Sequence, residues 1–162
     1  EMPAAPPPEG LLDRDRERER IVGHRSAHPA IEVRMCEAPP FGGDAPSSPF
    51  QRNWIRVTGG LGDDPRIHEA VLVYASDAAF MSTVNRRHPI PWRERMAASL
   101  DHSLWIHRRP RMTGWHLFTS ESPAAHAGRG LVTGAIWSAD GTLVASVAQE
   151  AIVRRRRSQA PT

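Results

Sequence analysis

The stretch from Asp63 to Met81 constrains this chain most. It opens with Asp63-Asp64-Pro65, a helix start: Asp64 takes the N-cap, where its side chain accepts an orphan backbone N–H, and Pro65 takes the first helical position, where no N–H is needed. The pattern predicts a helix running to about Met81. Ile67, Ala70, Val71, Leu72, Val73, Tyr74, Ala75, Ala78 and Phe80 leave it almost no polar face. A helix apolar nearly all round has to be surrounded by protein. The remainder of the chain must therefore supply a wrapper.

The flanking segments have the texture of that wrapper. Ile31-Glu32-Val33-Arg34-Met35 alternates apolar and polar residues, as a half-buried strand does. A Pro/Gly/Ser stretch from Pro39 to Pro49 reads as a loop, and Gln51 to Thr58 as a second strand stopped by Gly59-Gly60. Residues 82–98 read mostly as loop, with Pro89 and Pro91. Four further strands are expected over Leu100–Arg108, Trp115–Ser122, Gly128–Ser138 and Thr142–Arg155, with Asp140-Gly141 as the hairpin turn between the last two. One enclosed helix followed by an antiparallel meander predicts an α+β hotdog fold, an antiparallel sheet wrapped around a long central helix. Residues 1–29 are expected to be a linker or tail, because Pro3, Pro6, Pro7 and Pro8 oppose regular structure and Asp13–Arg20 alternates acid and base like a solvated spacer, helical or not. The domain is placed at 30–155 and a disordered basic tail at 156–162.

Composition removes several classes of chemistry. The 162 residues suffice for one core with flanks. There is one cysteine, Cys36, so neither an internal disulfide nor a cysteine-based zinc site can form, and a reducing compartment is expected. No apolar run approaches the ~20 residues of a membrane span, and no secretory signal pattern opens the chain; a cytoplasmic location is expected. All 21 basic residues are Arg, which rules out Schiff-base lysine chemistry and favours two-pronged contacts to phosphates. The chain begins at Glu1 rather than Met, which suggests a fragment or a processed product.

Two polar residues interrupt apolar surfaces. Along the last strand one face carries Leu143, Ala145, Val147, Gln149, Ala151 and Val153, of which only Gln149 is polar. On the helix, Asp77 lies one turn from Val73, Tyr74 and Met81. Burying an unpaired amide costs roughly 2–7 kcal/mol, so each must either bond a neighbour or serve chemistry. A shared cavity in which both hold a water molecule is the sharper reading. Ser99, at the entry to the strand from Leu100, is a third candidate, although a serine there is commonly a turn or cap residue.

At these residues the sequence resembles the second half of the type II acyl-CoA thioesterases. The resemblance rests on Tyr74-Ala75-Ser76-Asp77, on Ser99-Leu100-Asp101-His102-Ser103-Leu104-Trp105, and on Ala148-Gln149-Glu150, and extends over residues 31 to 154. That family is a double hotdog with an Asp on the second central helix, a Thr or Ser before the Asp-His segment, and a Gln on the final strand. The match implies Asp77, Ser99 and Gln149 as the catalytic set, acyl-CoA as substrate, no cofactor and no metal. It implies direct attack by an activated water on the thioester carbonyl, with Ser99 positioning rather than attacking; no G-x-S-x-G elbow is present. The family's first hotdog is missing here. The expected partner is therefore a separate N-terminal hotdog half, or a homo- or hetero-oligomer that covers an otherwise open apolar surface.

Three rivals are weighed. A hotdog hydratase pairs an Asp and a His with four residues between them, whereas five lie between Asp101 and His107, with structural hydrogen bonding as the plain account of Asp101, His102 and His107. A non-catalytic hotdog subunit that pairs with an active half is the main alternative. Nucleic-acid binding is suggested by Arg154–Arg157 and a pI of about 10.3, but the run is terminal and lacks interleaved aromatics, so no nucleic-acid partner is expected. Arg108 and Arg129 are the only coenzyme contacts that charge suggests.

Overall fold

The computed structural model describes residues 1–23, 30–38, 47–78, 80–88 and 90–156. The expected loop over Pro39–Pro49 lies partly, and the basic tail beyond Arg156 wholly, outside them. Eight strands, β1 (Leu12–Asp13), β2 (Ile31–Met35), β3 (Phe50–Val57), β4 (Arg95–Ser99), β5 (Ser103–Ile106), β6 (His116–His126), β7 (Arg129–Ser138) and β8 (Leu143–Arg155), form one antiparallel sheet in the order β1-β2-β3-β6-β7-β8-β4, with β5 also on β8. Among the described residues three α-helices accompany it: α1 (Arg14–Val22), α2 (Pro65–Asp77) and α3 (Ser82–Arg87).

The sheet curls around α2. Leu72 and Ala75 of α2 are wholly buried against a core that includes Ile55, Phe118, Ile136 and Val147. Asp64 caps α2 by accepting the Arg66 N–H, and Pro65 opens it, as expected. The β7–β8 hairpin turns at Gly141, whose φ of 89° lies in the left-handed region that glycine enters freely.

Four features depart from the sequence-based expectation. The helix stops at Asp77 instead of Met81: Ala78 N–H bonds Ala75 O three residues back, the chain turns, and Phe80 drops onto Phe118 with ring centroids 5.3 Å apart. Second, α2 is not enclosed all round. Ile67, Val73 and Tyr74 are 44%, 46% and 45% exposed, because this chain's sheet covers only one side.

Third, residues 82–98 are not mostly loop but contain α3 and β4. The Ser, Thr, Asn and Arg side chains of α3 give no apolar stripe, yet Ser82, Thr83, Asn85 and Arg86 are all buried. They are matched by polar partners: Ser82 Oγ donates to Gln51 Oε1 at 3.1 Å, Thr83 and Ser120 hydroxyls meet at 2.7 Å, and Arg86 Nε and Nη1 donate to the carbonyls of Ser48 and Ala38. Fourth, the Pro-rich start lies on the sheet. Trp54 Nε1 donates to Pro6 O at 2.8 Å, Arg52 to Ala4 O, and β1 pairs with β2. The acid–base run then forms α1, capped by Asp13, which accepts from the Asp15 and Arg16 N–H groups.

Candidate active site

A break in one edge of the sheet builds the site. Ser99 pairs with Ala151 and Ser103 with Ala148, so three residues, Leu100 to His102, stand opposite two, Gln149 and Glu150. Such an excess residue bends the strand and re-aims its side chains. Leu100 N–H donates to Glu150 O at 2.9 Å, and Asp101 Oδ1 accepts the Glu150 N–H at 2.7 Å, replacing the ladder carbonyl. In a regular strand Ser99 and His102 would face opposite sides. The irregularity lets both reach Gln149.

Gln149 is 1% exposed, and both ends of its amide are hydrogen-bonded. Nε2–H donates to Ser99 Oγ at 2.7 Å, and Oε1 meets His102 Nδ1 at 2.5 Å. An amide oxygen only accepts, so Nδ1 carries the proton in this arrangement. His102 Nε2 lies 2.7 Å from Ser76 Oγ, which is also 2.7 Å from Val73 O, so in the neutral ring one hydroxyl proton serves either acceptor. The Phe80 ring stands edge-on to the imidazole at 6.1 Å. The chain Ser99–Gln149–His102–Ser76 thereby ties the broken edge to α2.

Of the three residues predicted from sequence, Ser99 and Gln149 are in direct contact. Asp77 is not hydrogen-bonded to either. It follows Ser76 at the end of α2, exposed, and its charge is felt by Arg14 of α1. Arg14 is buried, and Nε has no hydrogen-bond partner. Burial pulls the Arg14 pKa down to about 10 against the opposing pull of Asp15, with Arg18 lowering and Asp77 raising it further. Arg95, across the curl at the opposite sheet edge, is likewise lowered to about 10 by burial and by the charges of Arg14 and Arg18. Both stay protonated at neutral pH. The sequence reading missed this basic surround because it took Asp13–Arg20 for a solvated spacer. It also left His102 and Ser76 outside the site, although each sits beside a residue that it had chosen.

Other candidates have separate occupations. Asp101 is held by the Glu150 N–H, and His107 Nε2 meets Ser146 Oγ at 2.9 Å, so the two do not form a dyad. Burial, with Glu37 nearby, raises the Cys36 thiol to about 11, which keeps it protonated and poorly nucleophilic at neutral pH. Arg155 pairs with Glu94 at 2.8 Å, and Arg156 Nε donates to Arg95 O, so two members of the terminal basic run are engaged within the chain. Among the described residues no group of three or more His, Cys, Asp or Glu could hold a metal ion, and no helix is long and apolar enough to cross a membrane.

Residues 3–153 match a family model described as the acyl-CoA thioesterase C-terminal domain. Acyl-coenzyme A thioesterase 8 of Rattus norvegicus is 35% identical over 170 residues, spanning 96% of this chain and 53% of its own length. Acyl-CoA thioesterase 2 of Haemophilus influenzae is 36% identical over 106 residues, or 64% of this chain and 37% of its own. Thus the chain spans about half the length of the first of these relatives, and less of the second. Among solved structures, an acyl-CoA thioesterase II from Mycobacterium marinum aligns with a TM-score of 0.74 and 33% identity over 98% of this chain and 57% of that one. A protein with a hot dog fold from Alicyclobacillus acidocaldarius aligns at 0.67 with 19% identity over 99% of this chain and 55% of its own, which speaks to the fold alone.

Proposed function

The chain belongs to the acyl-CoA thioesterase C-terminal domain family, with the hotdog fold, and from that premise we propose that it carries the Asp77, Ser99 and Gln149 set that hydrolyses fatty acyl-CoA. The observation that supports this most is Gln149: a buried amide on an apolar strand face, bonded to Ser99 and held in place by His102. Burying such a group is costly unless it is hydrogen-bonded, and the bonds that offset the cost also fix its orientation.

In this reading a water bound by Ser99 Oγ and the Gln149 amide is deprotonated by the Asp77 carboxylate as it attacks the thioester carbonyl. The oxyanion is stabilised by a backbone N–H. Collapse breaks the C–S bond, and the proton held on Asp77 passes to the departing thiolate, giving a free fatty acid and coenzyme A. His102 and Ser76 are positioning residues, which fix the Gln149 amide. Arg14 sets a positive charge near Asp77.

The site is expected to need a covering unit, either an N-terminal hotdog half or another copy. Two features favour this. The open face of α2 presents Ile67, Val73 and Tyr74, and the broken edge presents Met96, Leu100, Trp105 and Ile106, all more than 40% exposed. The relatives named above are also longer than this chain. Residence in a reducing compartment such as the cytoplasm fits the single protonated thiol of Cys36.

The test is release of free coenzyme A from a medium- or long-chain acyl-CoA, followed with a thiol reagent. The chain alone, the chain mixed with an N-terminal hotdog half, and the Asp77→Ala form of each are compared. Hydrolysis that falls at least about a hundredfold in Asp77→Ala, the scale of a general base, supports the assignment. Hydrolysis that survives the substitution removes it, and none in any mixture leaves the non-catalytic subunit.

A further inference from the structure

We propose that the groove where the β5–β6 connection meets the β7–β8 hairpin binds the 3′-phosphoadenosine diphosphate end of coenzyme A, with Arg108 and Arg109 on the phosphates. This deepens the thioesterase reading and rests on it for the identity of the nucleotide.

The groove is a cavity of about 400 Å³ whose wall includes Arg108, Arg109, Arg111 and Trp115. Its arginines are little neutralised within the chain, unlike the closely paired ones. Arg20, Arg34, Arg52, Arg56, Arg66 and Arg155 are each within 3.0 Å of a carboxylate. By contrast, Arg108 bonds only the carbonyl of its neighbour His107, Arg109 has no hydrogen bond or ion pair among the described residues, and Arg111 lies 3.6 Å from Asp63 with both side chains mostly exposed. The one carboxylate on the wall, Asp140, is occupied by the Ser138 hydroxyl and the Thr142 N–H. A concave surface with three cations and little internal neutralisation suits a polyanion, which arginine grips through paired hydrogen bonds.

The loop that carries these arginines is anchored. Pro110 and Met112 are buried, Met112 N–H donates to His68 Nδ1 at 3.1 Å, and Met112 O accepts the Val57 N–H at 2.8 Å. Fixing the loop in advance lowers the ordering cost of binding. Trp115, half-buried with the Arg56 guanidinium 4.2 Å from its ring centroid, gives the wall an aromatic surface for a base.

Position ties the groove to the thioester. Val144, on its floor, is five residues before Gln149 along β8, which is about 17 Å at ~3.3 Å per residue. An extended pantetheine arm spans a distance of that order between the thioester sulfur and the diphosphate.

The experiment is calorimetric titration of the full chain with 3′-phosphoadenosine 5′-diphosphate, in the wild type, in Arg108→Gln/Arg109→Gln, and in Arg20→Gln as a control for net charge. The dissociation constant should rise at least about tenfold in the double variant, the loss of one charge-assisted contact, and stay put in Arg20→Gln. With hydrolysis established, KM for acyl-CoA should rise by a similar factor at constant kcat, and the defect should be confined to substrates that carry the nucleotide, sparing acyl-pantetheine. Absence of nucleotide binding by the wild type, equal weakening in Arg20→Gln, or an equal defect with acyl-pantetheine would overturn the proposal. Arginine-dependent binding in a chain that hydrolyses nothing, either alone or mixed with an N-terminal hotdog half, would uphold the site and sink the thioesterase reading instead.

Discussion

Helices α2 and α3 are neighbours in sequence and opposites in burial. The apolar helix leaves Ile67, Val73 and Tyr74 about half exposed, while the polar helix has Ser82, Thr83, Asn85 and Arg86 buried. Polarity of the residues does not decide this; the location of their partners does. Each named contact of α3 is met inside the chain, by Gln51, Ser120, Ser48 and Ala38. The described residues leave the open face of α2 about half exposed. A buried polar helix thus marks a surface that the chain completes by itself, and an exposed apolar one is the kind of surface that a covering unit would complete.

Three substitutions probe that contrast. The largest effect is expected at Phe80, the residue between the two helices, which stacks on Phe118 and is 1% exposed. Phe80→Ala should cost about 3–5 kcal/mol in denaturant unfolding, the usual range for a buried aromatic. A loss under about 1 kcal/mol would show that neither helix is fastened through it. Next comes Thr83→Val, which keeps shape but strands the Ser120 hydroxyl in the interior. It should cost about 1–3 kcal/mol; a neutral result would mean that α3 is buried for reasons other than its hydrogen bonds. The smallest change in the isolated chain is expected for Val73→Ser on the open face of α2, within about 0.5 kcal/mol because Val and Ser have similar helix propensity. The same substitution should weaken association with an N-terminal hotdog half or with another copy, as followed by sedimentation. Strong destabilisation of the isolated chain would place that face inside the domain after all.

The candidate site divides along the same line. Gln149 was legible because a strand alternates, and one polar residue among Leu143, Ala145, Val147, Ala151 and Val153 breaks a period of two. Asp77 was legible as the carboxylate among apolar helix residues, and the resemblance added Ser99. His102 and Ser76 were not, since His102 reaches both Gln149 and Ser76 through an irregularity at Leu100–His102 that no spacing announces. Nor was Arg14, whose approach to Asp77 depends on α1 lying against the curled sheet.

By itself the sequence determined the elements whose signals are local: the Asp64-Pro65 helix start, the alternating strand at Ile31–Met35, the Asp140-Gly141 hairpin and the polar intruder at Gln149. Tertiary structure alone decided where α2 stops, that α3 is buried, that the Pro-rich start lies on the sheet, and how Ser99, His102 and Gln149 converge. The physical reason is range. A period or a cap is written within a few residues, whereas the hydrogen bonds that bury α3 and build the site join positions 26 to 50 apart in the chain, and only the curl of the sheet brings them together.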